Sequence, residues 1–121
     1  MLPVLAHGQE LDSVAERVEA LNAKCPIMHK DGWVLRSFAF GDEMARVELQ
    51  VPELLGPFLS PFLDDTDNVR KLWKKQLNSC YEEWKQFRKM MAKAGRPLEL
   101  VIYSNEKKVA GSVIFDPIDL L

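Results

Sequence analysis

The chain has little of what most specialised sites are built from. Two cysteines and two histidines in 121 residues are too few for a disulfide framework or for the four ligands of a structural zinc site. Cys25 and His29 are close in sequence but would supply only two such ligands. There is no glycine-rich phosphate loop, no Gly-x-Ser-x-Gly, no Cys-x-x-Cys and no His-Glu-x-x-His. No metal site, cofactor site or catalytic residue is therefore assigned, and the expectation is a protein without catalytic function. No apolar run approaches the ~18 residues of a membrane span. An excess of one charge is missing too: 16 Lys+Arg face 18 Asp+Glu, a formal net charge of −2, which argues against a generally basic nucleic-acid binder.

What the chain does have is apolar content. At 47% hydrophobic residues it is too apolar for a disordered tail, and its length suits one domain. Residues 1–8 resemble the end of a secretory signal peptide: a short apolar run, then small residues at Ala6 and Gly8. Cleavage after Gly8 would leave Gln9 as the mature terminus, with residues 9–121 as a single domain. That reading predicts an extracytoplasmic protein; a cytoplasmic one is the alternative.

Leu11, Val14, Ala15, Val18 and Leu21 recur at helical spacing, predicting a helix from Gln9 to Lys24 that Pro26 stops. Residues 33–40 and 44–51 flank Gly41, and the second run alternates cleanly, predicting a hairpin. From about Asn68 to Ala94 the sequence predicts one long amphipathic helix ended by Gly95 and Pro97. Its apolar sector holds Val69, Leu72, Trp73, Leu77, Cys80, Trp84, Phe87, Met91 and Ala94. Residues 98–104 and 108–115 predict a second hairpin. The order α-β-β-α-β-β argues for a two-layer α+β fold, an antiparallel sheet of two hairpins packed against the long helix and the shorter N-terminal one.

Asn22-x-x-Cys25-Pro26 after the first helix, the strand ending at Phe40 and Gly41, the helix ending at Gly95 and the closing strand pair together resemble a group of small, uncharacterised bacterial proteins, often exported. That resemblance implies the same element order and an extracytoplasmic address. It carries no activity.

Several residues could form sites. Cys25 and Cys80 could form a disulfide, closing a loop worth roughly 4 kcal/mol in the chain-entropy model, or could both be core thiols. Gln76 and Glu83 fall inside the apolar sector of the long helix, where they could hydrogen-bond across the core or line a small ligand pocket of an enzyme. Residues 68–96 hold nine Lys/Arg against two Asp/Glu. Arg70, Lys71, Lys74, Lys75, Lys85, Arg88, Lys89 and Lys93 thus form either a solvated face or a face for an anionic partner, protein or surface. The segment from Pro52 to Asp65 is broken by three prolines yet carries Leu55, Phe58, Leu59 and Phe62. These either cover the core or offer an adhesive surface. A last turn at Asp116–Leu121 is expected to dock two leucines. The functional expectation is an exported binding or structural module of undetermined partner and oligomeric state. The alternatives are the small ligand-binding enzyme and a cytoplasmic adaptor or immunity-type inhibitor.

Overall fold

A computed structural model describes residues 2–121, with side chains from Asp12 onward. The first helix, α1, spans Leu2–Asn22, so its start precedes the expected Gln9; the leader expected at residues 1–8, with His7, lies outside the described side chains. Val18 and Leu21 are buried and Val14 packs beside them, the stripe that the 3/4 spacing predicts. Asn22 Oδ1 accepts the Phe38 N–H at 3.0 Å and ties the end of the helix to the sheet.

Five strands follow: β1 (Ile27–Met28), β2 (Val34–Phe40), β3 (Ala45–Gln50), β4 (Leu98–Tyr103) and β5 (Val109–Phe115). They form one sheet in that order. Both expected hairpins are present, β2 with β3 and β4 with β5, each antiparallel. The expectation of a purely antiparallel sheet is corrected, because β3 and β4 run parallel, with Ala45 opposite Leu98 and Gln50 opposite Tyr103. The reason is the long connection between them. A tight turn forces antiparallel pairing, whereas a segment carrying helices returns the chain to the starting end of the sheet. β1 is too short to show any alternation in sequence.

The β2–β3 turn needs glycine for a steric reason: a Cβ on Gly41 would lie 2.5 Å from the Met44 carbonyl oxygen.

The single long helix expected from Asn68 to Ala94 is two helices, α2 (Asp67–Cys80) and α3 (Glu82–Ala94), broken at Tyr81, whose backbone is extended (φ −135°, ψ 117°). No glycine or proline marks the break. Tyr81 is itself buried, and its N–H still reaches the Leu77 carbonyl at 2.9 Å. After the break the phase restarts, so that Trp84, Phe87, Met90 and Met91 are buried on α3 as Val69, Trp73 and Leu77 are on α2. Leu72, expected inside the apolar sector, is instead half exposed. Thr66 Oγ1 caps α2 by accepting the Val69 N–H at 3.2 Å. Gly95, at φ 66°, closes α3 in the left-handed conformation that disfavours a side chain.

Leu35, Phe38, Val47, Leu49, Leu100 and Phe115 line the buried side of the sheet. Phe38 meets Phe87 at 4.8 Å between ring centroids, and Trp84 meets Phe115 edge-on at 6.1 Å. The chain ends in a 3-10 helix, Pro117–Leu120. Leu120 is buried but Leu121 is exposed, so one leucine docks rather than the expected two.

Candidate functional site

The proline-rich segment folds as two consecutive 3-10 helices, Glu53–Phe58 and Ser60–Phe62. Proline suits such short helices because its fixed φ is compatible and few N–H donors are needed. In a 3-10 helix side chains three apart eclipse one another, which stacks Leu55 with Phe58 on one side of the turn. Leu59 is buried and pins the segment to the core, while Leu55, Phe58 and Phe62 stay 37%, 68% and 41% exposed. Of the two expected alternatives, covering the core describes Leu59, while the other three side chains stay accessible.

These side chains face α2 across an apolar cleft of about 220 Å³. One wall is Leu55, Phe58, Leu59 and Phe62; the other is Leu72, Trp73 and Gln76 on α2, with Trp33 completing the lining. Trp33 stands edge-on to Trp73, with ring centroids 6.2 Å apart. The Trp73 indole donates to the Phe62 carbonyl at 2.6 Å. That bond satisfies the buried N–H and fixes the loop against the helix, so the cleft walls are held by a specific contact. Gln76 is the sole polar side chain of the lining, and its amide lies 3.5 Å from the Cys80 sulfur.

The cleft holds all four residues singled out in the proline-rich segment, and Gln76. It does not bring the expected Gln76/Glu83 pair together: Gln76 lines the cleft and Glu83 is not among its lining residues. Burial and the charge of Glu83 push the Cys25 thiol up to about 11, far from the thiolate a nucleophile needs. Cys25 and Cys80 are both free, partly buried thiols; the possible disulfide is absent from this structure. Burial likewise raises the Tyr81 phenol, with Cys80 next in effect. His29 sits edge-on to Tyr81 at 6.1 Å. Among the described residues no group of three metal-binding side chains converges.

The basic residues separate into two sets. Arg70 is drawn into ion pairs with Asp65 and, at 3.0 Å, Asp67, and its Nε donates to the Ile114 carbonyl at 2.8 Å. Lys74 donates to the Asp119 and Leu121 carbonyls, both at 3.0 Å, and Arg88 to the Leu120 carbonyl at 2.7 Å. Lys85 pairs with Glu82 at 3.4 Å. These four secure the chain terminus and helix ends. Lys71, Lys75, Lys89 and Lys93 are, among the described residues, without an ion-pair partner, and all four are exposed.

Three cleft residues escaped the sequence reading. Leu72 and Trp73 fall in the helical apolar sector and were expected in the core, while Trp33 lies just before β2 and carries no periodic signal. Only the packing of the 3-10 segment against α2 shows that all three border one cavity.

No protein-family model and no curated protein matches the chain. Among solved structures it is similar to a suspected secreted protein of Pseudomonas aeruginosa, with 10% sequence identity, a TM-score of 0.65 and coverage of 93% of this chain and 94% of that one. At that identity the likeness defines the fold: an α+β protein with a five-stranded mixed sheet. Among the described residues, no helix is long and apolar enough to cross a membrane.

Proposed function

We propose that the protein is an extracytoplasmic, non-catalytic binding module whose binding site is the cleft between the proline-rich segment and α2. The observation that carries this is the exposure of Leu55, Phe58, Phe62 and Leu72 around one concavity. Exposed apolar side chains scattered singly are normal on any protein surface, whereas several gathered around one hollow mark a binding site. The non-catalytic part rests on the lining chemistry. Indole, phenyl, alkyl and carboxamide groups neither exchange protons near neutral pH nor act as nucleophiles. The extracytoplasmic part is supported by the likeness in fold to a suspected secreted protein.

Photocrosslinking in the native cells tests the site. A benzoylphenylalanine replacing Phe58 should give adducts that the same group at Ser112, on exposed β5, does not. Equal labelling from both positions, or none from position 58, rejects the cleft as the site. Fractionation of the same cells tests the compartment: recovery of the full chain wholly with cytosolic markers rejects the extracytoplasmic reading.

A further inference from the structure

The class of ligand follows from what the lining of the cleft has and lacks. Trp33, Phe58, Phe62 and Trp73 make half of its eight lining side chains aromatic; three more are leucines and the last is Gln76. None of the eight can ionise. An ion drawn among them sheds water and finds no opposite charge in the walls, a cost that falls on either sign. The carboxamide of Gln76 can match a hydroxyl or an N–H but cannot neutralise a charge. Its nitrogen lies against the Cys80 sulfur, and among the described residues no donor reaches its oxygen, which is left to accept. The Phe62 carbonyl is already taken by the Trp73 indole.

Size sets the other bound. At about 220 Å³ the cleft is larger than the ~150 Å³ cavity that holds benzene and smaller than the ~300–1,000 Å³ pockets that enclose drug-sized ligands. A substituted ring or a fused pair fits that range. Flat rings also gain edge and face contacts with aromatic walls beyond their burial. A hollow of this size would give a protein partner a single anchor, whereas specific protein interfaces bury ~1,000 Å² or more.

We infer that the cleft takes a small, free, uncharged aromatic molecule with one hydrogen-bond donor, of the phenol or indole kind, its donor on the Gln76 carbonyl. This rests on the cleft being the binding site. The probes are p-cresol, 4-methylanisole, p-toluate, 4-methylbenzylammonium and 4-methylcyclohexanol, titrated into the full chain at pH 7, where a phenol is neutral. The readout is the indole N–H resonances in nitrogen–proton correlation spectra. Trp33 and Trp73 line the cleft; Trp84, fully buried and bonded to Asn78 Oδ1 at 2.9 Å, is the internal control. The cresol should shift Trp33 and Trp73 saturably and leave Trp84 still. Both ions should bind about tenfold more weakly or worse, and the saturated alcohol about threefold more weakly. The methyl ether, which cannot donate, should lose about fivefold. A Gln76→Leu variant should bring cresol and ether within about twofold of each other. A Phe58→Ser variant, altered at an exposed position and checked for folding by circular dichroism, should weaken every probe.

An ion of either sign that binds as tightly as the cresol overturns the inference, as does a saturated alcohol that matches it. So does a Gln76→Leu variant that keeps the preference for cresol over ether, or a cresol shift that does not saturate. Adducts from position 58 in the native cells separate this inference from the broader one. A mass increase of the size of one small aromatic molecule supports the ring, whereas a protein adduct overturns it and leaves the cleft as a binding site.

Discussion

Glu48 sits on the sheet face away from the core and accepts two side-chain hydrogen bonds. It accepts from Ser37 Oγ at 2.6 Å and from the Tyr103 hydroxyl, while the Arg36 guanidinium lies 3.9 Å above the Tyr103 ring. Burial alone would raise this carboxyl, but the two hydrogen bonds and the charges of Arg36 and Arg46 outweigh it and hold the group below its ordinary 4.5. The same contact, led by the hydrogen bond to Glu48, raises Tyr103 above its ordinary 10.0. The signs fix a window. A depressed carboxyl contributes stability above its unfolded pKa that is lost as pH falls through the folded value; a raised phenol contributes below its unfolded pKa and is lost as pH rises through the folded one. Tyr103→Phe should therefore cost about 1 kcal/mol at pH 7, the value of a charged hydrogen bond discounted for partial exposure. The deficit should shrink below about pH 4 and again above about pH 10. Urea titrations at pH 3, 7 and 10 measure it, and an equal deficit at pH 3 and 7 would assign the effect to packing.

At the scale of elements, legibility followed period and punctuation. β3 alternates strictly, with Ala45, Val47 and Leu49 fully buried, and its boundaries could be read directly. α3 ends at Gly95, where a residue with a Cβ is strained. Gly95→Ala should thus cost about 1 kcal/mol, or roughly 4 °C in Tm for a chain of this size, although no atom lies within 4 Å of the added methyl position. A variant as stable as wild type would show that the helix end relaxes freely. Tyr81 was illegible for the opposite reason: it breaks the helix with an ordinary residue, extended in its backbone and buried in its ring, that carries no local breaker signal. The parallel β3–β4 pairing was illegible because register between strands about fifty residues apart leaves no local trace. The cleft was half legible. Its proline-rich wall announced itself by being too apolar for a loop, whereas Trp33 and Leu72 acquire their role only when that wall meets α2. The C-terminal turn is a similar case, since nothing in Asp116–Leu121 says that one leucine is core. Leu120→Ala should cost about 2–5 kcal/mol, the range for truncating a fully buried leucine, and Leu121→Ala under about 0.5 kcal/mol; thermal denaturation separates the two.

For the whole molecule, the net charge of −2 conceals an uneven distribution, since residues 68–96 are strongly basic and the remainder is acidic. The structure reduces the usable positive charge: Arg70, Lys74, Lys85 and Arg88 are engaged in ion pairs or in binding the C-terminal carbonyls. Within residues 68–96, Lys71, Lys75, Lys89 and Lys93 are the exposed cations free to meet a polyanion directly. Their attraction for it acts over the Debye length, about 30 Å at 0.01 M salt and about 8 Å at 0.15 M, so it should be strong at low ionic strength and fade near physiological salt. The protein is expected to be retained on heparin at about 0.01 M salt and released by about 0.15 M. Replacing those four lysines with glutamate should abolish retention without a change in Tm, because none of the four holds a described contact. Replacing Lys74 and Arg88 with methionine should do the reverse, lowering Tm through the freed C-terminal turn while leaving much of the retention. If the four-lysine variant is retained like wild type, the basic residues serve the fold and the solvated surface alone, and the cleft is left as the protein's means of recognition.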